Sequence, residues 1–292
     1  MPLDVFLFVL AAALMHATWN AMLKSGSGDR PGVIKGFCAT QVGPSLCLAP
    51  FVEFPAAAAW PYLIASTLIS TAMWLMLNRA YQTSELSLVY PLARGTGPLV
   101  VALLSSLLFD ETLSRTALIG VLLIALGIIS LALTRGAAGL RDMRAVALAL
   151  AMGGLIGAYS VLDALGVRAA GSASSYIVWV VMLGSALGFV APYWLHPASS
   201  QATGGHFLKT HFLKTGGLRA GILSGLIAYL CSAIVLWAYT QAPIALVSAL
   251  RETSIIFAVI LGVVFLKEQL SLARLAAIAT ALVGTAILKV SR

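Results

Sequence analysis

Two arginines, Arg94 and Arg251, stand deep inside long apolar stretches. A guanidinium is never neutral at physiological pH. An ionisable group near the centre of a bilayer costs at least about 2.5 kcal/mol on insertion scales. Each arginine must therefore meet an anion, either a protein carboxylate or a ligand. His16, Asp163 and Glu252 lie in comparable positions. His16, Trp19 and Asn20 share one helical face through their spacing of three and four, which offers a titratable ring, an aromatic wall and an amide. Tyr159 and Asp163 are likewise one turn apart. Glu252 follows Arg251 directly, and adjacent residues on an unbroken helix point about 100° apart, so the two should pair poorly.

These residues suggest two kinds of chemistry. Arg94 and Arg251, helped by His16, Trp19, Asn20 and Tyr159, could bind an anionic or zwitterionic small molecule. Asp163, His16 and Glu252 could carry a proton, since histidine titrates near neutral pH without help. Duller readings stand beside these. His16 could simply bond a neighbouring helix, and Asp163 could pair with Arg168.

The elements that must position these groups are membrane helices. The chain has 292 residues, 60% hydrophobic and only 10% charged, where a soluble domain carries roughly 25% charged residues. Spanning runs of about 20 residues are predicted at 4–23, 33–52, 61–79, 86–108, 116–134, 145–166, 173–195, 218–239, 244–266 and 272–289. In lipid such runs are helices, because the backbone must satisfy its own hydrogen bonds. The run after Met1 has no basic region ahead of it and is expected to stay as the first helix. The fold class expected is all-α integral membrane protein.

An internal repeat divides the ten runs. The stretch 80–131 aligns with 238–288, setting Tyr81 on Tyr239, Arg94 on Arg251, Leu118 on Leu275 and Gly127 on Gly284. Glu111-x-x-Ser114 then falls on Glu268-x-x-Ser271, and the same logic sets Asn20 on Asp163. The expected repeats are 1–138 and 139–292, each of five helices. An odd number inverts the second relative to the first, an architecture of secondary transporters. Pro91 precedes Arg94 by a turn, whereas Ser248 and Ile255 replace the two prolines of the fourth run in the second half. Glu111 and Glu268 could cap the helices that follow them.

Other features read as structural. Cys38, Cys47 and Cys231 have no metal-ligand spacing and are expected to be buried small apolar residues. Gly153/Gly157, Gly184/Gly188 and Gly217/Gly221/Gly225 are spaced for close helix approach. His-Phe-Leu-Lys-Thr occurs twice in tandem at 206–215 and reads as a loop duplication or a lipid-phosphate contact. The net charge of +8 lies mostly in short loops, so it encodes topology rather than nucleic-acid binding. Loops after odd-numbered runs hold 12 basic residues and the others 4. The positive-inside rule then puts both termini outside.

An intramembrane enzyme or a channel is the alternative class. No His-Glu-x-x-His, Gly-x-Ser-x-Gly or Asp-x-x-x-Asp pattern is present, so no enzyme activity, metal or other cofactor is expected. No ring of like charges suggests a channel.

The chain resembles the EamA-type branch of the drug/metabolite transporter superfamily. The resemblance rests on His16-Ala-Thr-Trp-Asn20, Ala158-Tyr-Ser-Val-Leu-Asp163-Ala-Leu-Gly166, Leu250-Arg-Glu-Thr-Ser254 and Gly262-Val-Val-Phe-Leu-Lys-Glu268. Glu111 with Gly120 and Gly127, and Glu268 with Gly284, carry the repeat signature, though Ala277 replaces the counterpart of Gly120. The resemblance implies a central cavity between two five-helix halves in a cell membrane, the bacterial inner membrane in particular. It implies export or exchange of amino acids, nucleotide sugars or related metabolites, proton-coupled in some members. It also implies cytoplasmic termini, against the charge count. Partners expected are a small-molecule substrate and membrane lipid, with the protein a monomer or homodimer.

Overall fold

A computed structural model describes residues 1–25, 30–83, 86–109, 113–133, 142–195, 215–266 and 271–290. Among these residues there are α-helices and short 3-10 turns but no strand. The helices are α1 (Leu3–Ser25), α2 (Arg30–Leu48), α3 (Trp60–Thr83), α4 (Leu86–Phe109), α5 (Arg115–Leu133), α6 (Met143–Ala169), α7 (Ala173–Leu195), α8 (Thr215–Gln241), α9 (Ile244–Glu252), α10 (Ser254–Leu266) and α11 (Leu272–Val290). Glu111, Glu268 and the tandem His-Phe-Leu-Lys-Thr up to residue 214 lie outside the described residues.

Among the described residues, eight segments are long and apolar enough to cross a membrane. The protein is a multi-pass membrane protein. The ten expected runs all lie on helices, but α2 and α7 fall short of that measure. The apolar stretch described on α7 is the shorter Ala173–Gly188. On α2 the polar side chains of Gln41 and Ser45 face protein, not lipid. Gln41 and Ser45 are buried, and Gln41 Nε2 donates to the Gly225 carbonyl of α8 at 2.6 Å. Lipid-facing stripes are plain elsewhere. Leu118, Leu122 and Leu126 stand exposed one turn apart on α5, as do Leu223, Leu226 and Leu230 on α8. In lipid these cost nothing.

Close backbone contacts fix the direction of the helices. Along α4 and α6, Gly153 meets the Ala93 carbonyl and Gly157 meets Val100 and the Gly97 carbonyl, so both helices run the same way. Along α2 and α8, Gly221 lies against Val33 and Gly225 against Phe37, again in parallel. On α5 and α11 the order reverses, since Gly120 meets the Gly284 carbonyl while Gly127 meets the Ala277 carbonyl. α1 and α8 are also antiparallel, with Phe8 on Trp237 and Cys231 Sγ 3.2 Å from the Ala12 carbonyl. So are α3 and α6, through Ser66 with Asp163 and the Ala56 N–H donating to Ala170.

Two expectations about small residues change. Among the described residues nothing lies within 4 Å of where a Cβ would stand on Gly184 or Gly188, so that pair mediates no close approach between them. The cysteines are not uniformly buried: Cys231 is, Cys38 is half-buried, and Cys47 is exposed, where an apolar thiol suits lipid as well as protein.

The contrast predicts stability. A Cβ at Gly221 would overlap the Val33 carbonyl, a backbone atom that cannot turn aside. Gly221→Ala should cost about 2 kcal/mol through overpacking. Gly184→Ala meets open space and gains helix propensity, so it should match or exceed wild type. Thermal unfolding of the two variants in detergent checks both.

Candidate functional site

The packing of α4 on α6 depends on glycine at 97, 153 and 157, and it carries Arg94 up against the second half of the chain. There the ninth apolar run breaks. α9 ends at Glu252, Thr253 turns, and α10 begins at Ser254. Thr253 stabilises the turn itself, its Oγ1 donating to the Leu250 carbonyl at 2.6 Å and its N–H to the same oxygen at 3.2 Å. Such back-bonding bends helices. The break lies beside two charged side chains.

Glu252 is wholly buried between two guanidiniums. Arg94 Nε lies 2.8 Å from its Oε2, and Arg251 donates to its Oε1 from Nε at 3.1 Å and Nη2 at 3.0 Å. The direct Arg251–Glu252 pair corrects the expectation that neighbours on one helix pair poorly. Both side chains are long and sealed from water, so they turn to each other despite the 100° between them. Each arginine also has a hydroxyl. Arg94 Nη2 donates to Ser254 Oγ at 2.8 Å and Arg251 Nη2 to Ser160 Oγ at 3.3 Å. The Arg94 guanidinium further lies 5.7 Å from the centroid of the Tyr90 ring, a cation–π contact one turn back.

The centre is thus an Arg–Glu–Arg triad with two positive charges and one negative. A buried ion pair adds little net stability once desolvation is counted. A surplus cation in a membrane core is dearer still; the carboxyl of Asp163 is within electrostatic range of Arg251.

Of the other sequence candidates, His16 and Tyr159 lie near the triad. His16 on α1 is within electrostatic range of Arg94 and Arg251. Tyr159 on α6 is within range of both arginines, Glu252 and Asp163. Trp19 is buried edge-on to His16, 5.0 Å between centroids, and also touches Phe37 at 5.5 Å. Asn20 turns inward on its own helix, its amide donating to the His16 carbonyl at 2.8 Å.

Asp163 occupies a separate polar spot. Ser66 Oγ and Tyr176 OH, the latter at 3.2 Å, both donate to its Oδ1. Arg168 is not its partner. Its Nε and Nη2 instead bond the carbonyls of Tyr239 and Ala242 at 2.8 and 3.1 Å, capping the C-terminus of α8. A cation there complements the helix dipole.

Sequence reasoning missed Ser160, Ser254, Ser66, Tyr176 and Tyr90. Helical spacing offered a faint signal for Tyr90, which precedes Arg94 by one turn. The other four meet their charged partners only across helices. An apolar groove of about 360 Å³ lies between α3, α4 and α6, lined by Tyr62, Leu104, Leu108 and Leu162 among others. It carries no charge and does not reach the triad.

Residues 5–133 match the profile of the EamA-like transporter family. The match covers 129 of the 292 residues, in the first half of the chain. The EamA segment ends with α5 and contributes His16, Trp19, Asn20 and Arg94 to the site. No curated protein matches the chain. A solved crystal structure, described only as that of a protein, superposes with a TM-score of 0.73 at 17% identity, covering 98% of this chain and 98% of that one. At that identity it shows a shared fold. The EamA match and this likeness together agree with the multi-pass helical architecture.

Proposed function

We propose that this protein is a secondary transporter of a small anionic or zwitterionic metabolite, working by alternating access between two inverted five-helix repeats, 1–138 and 139–292. The observation that carries the reading is the Arg94–Glu252–Arg251 triad, buried where the two halves meet and one negative charge short of neutrality. A substrate acid supplies that charge. His16, Trp19, Asn20 and Tyr159 line the approach, and Asp163, His16 and Glu252 are the groups available for proton coupling.

The inverted arrangement is supported by contact register. Swapping each residue of the Gly127–Ala277 contact for its repeat counterpart gives Gly284–Gly120, and that contact is present too. A twofold axis relating the halves requires this exchange. α1 on α8 exchanges in the same way for α6 on α3, and both pairs are antiparallel. A site on such an axis is reached alternately from either side.

The test is flux. Purified protein in proteoliposomes should move a small acid or amino acid saturably, and should ignore organic cations of similar size. Equal leakage from protein-free vesicles for every compound in the panel would end the reading.

A further inference from the structure

We infer that Glu252 is a tethered stand-in for the substrate's acidic group, holding Arg94 in the empty carrier until a substrate anion competes for it. The inference rests on the transport reading above and says how its site is kept when unoccupied.

Three features lead there. First, the two Glu252 oxygens are divided: Oε2 faces Arg94 of the first half, while Oε1 takes both bonds from Arg251, its own neighbour. The Arg94 bond alone can be surrendered without leaving Glu252 uncompensated, because Arg251 travels with it. Loss of all partners would strand a buried carboxylate, which is strongly destabilising. Second, the arginines are held independently of Glu252. Ser254 keeps Arg94 and Ser160 keeps Arg251, so each guanidinium retains a hydrogen-bond partner when Glu252 moves away. Such preorganisation lowers the cost of binding. Third, Glu252 sits at the helix break before Thr253, where a side chain can re-aim without unwinding a regular turn.

The chemistry names the ligand class. A single carboxylate is what Glu252 presents, so the competitor is a small acid bearing a carboxylate or a comparable oxyanion. An ammonium group at Glu252 Oε2, which lies 2.8 Å from Arg94 Nε but accepts no hydrogen bond among the described residues, would meet that guanidinium's positive charge; if the substrate carries one, Glu252 is not its partner. Substrate binding then replaces the Arg94–Glu252 bond, an ion pair that joins the two halves, with one that moves with the cargo.

The experiment measures anion binding to the full chain in a neutral, lipid-free detergent, so that no lipid headgroup competes. Sodium acetate and inorganic phosphate are titrated at constant ionic strength against thermal unfolding, since binding raises the midpoint. Removing an internal competitor held by a charge-assisted bond should tighten binding at least roughly tenfold. Glu252→Gln should therefore bind one or both anions that much more tightly than wild type, and adding Arg94→Gln should erase the gain. Glu252→Asp, one methylene shorter and still charged beside Arg251, should gain less; it serves if the Gln protein does not fold. Wild-type affinity in every foldable Glu252 variant, with Arg94→Gln and Arg251→Gln still losing binding, overturns the stand-in role and leaves the transport reading intact. Binding that is indifferent to Arg94 and Arg251 overturns the anion site itself.

Discussion

Arg251→Gln protein should bind its substrate acid at least roughly thirtyfold more weakly than wild type and still fold, because truncating one partner of a buried charge pair costs about 2–5 kcal/mol in binding. The same holds for Arg94→Gln. In either single variant the remaining guanidinium keeps Glu252 paired, Arg94 from 2.8 Å or Arg251 from 3.0 Å. The triad loses its surplus charge and with it the attraction for an anion, but no buried carboxylate is stranded. The double variant differs in kind. With both arginines gone, Glu252 stands fully buried without a cation, a loss of about 3–5 kcal/mol. Comparing the expression and unfolding midpoint of the three proteins separates binding from folding. If Arg251→Gln binds acids as wild type does, Arg251 serves only to neutralise Glu252.

How far the sequence goes is clearest at this centre. The cost of burying charge picked out Arg94, Arg251 and Glu252 before any contact was known, and the repeat placed the arginines as counterparts. Helix positions were legible for the same reason: lipid demands long apolar runs, and the ends moved by only a few residues. The break at Thr253 was not legible, because Ser254 to Leu266 continues the apolar run and hydropathy does not register a turn. The hydroxyls that serve the charges were hidden too. Ser66 meets Asp163 across 97 residues and Ser254 meets Arg94 across 160, distances over which periodicity carries no information. Arg168 illustrates the opposite error. Five residues from Asp163, it invites a local ion pair, yet helix packing delivers it to the end of α8.

Proton coupling, finally, should depend on Asp163 more than on His16. An alternating-access carrier driven by a pH gradient needs a group whose charge changes between its two states. Glu252 keeps Arg251 as its partner on the same helix. Among the described residues Asp163 bonds only to hydroxyls, Ser66 from α3 and Tyr176 from α7, with Tyr159 and Arg251 the nearby groups that shape its field. Hydroxyl partners can serve a carboxylate or a carboxylic acid, since each can donate or accept. A guanidinium cannot. Asp163 also ties α3 and α7 to α6, so a change in its protonation alters contacts on both sides of the boundary between the repeats. His16, by contrast, belongs with the anion site, within electrostatic range of Arg94 and Arg251. In proteoliposomes under an imposed pH gradient, wild type should accumulate substrate above equilibrium. Asp163→Asn should keep exchange but fall to simple equilibration, while His16→Gln should retain uphill accumulation at a reduced rate. If both variants accumulate as wild type does, neither group carries the proton. If wild type itself ignores the gradient, the protein is a uniporter or an exchanger, and its buried carboxylates serve the arginines alone.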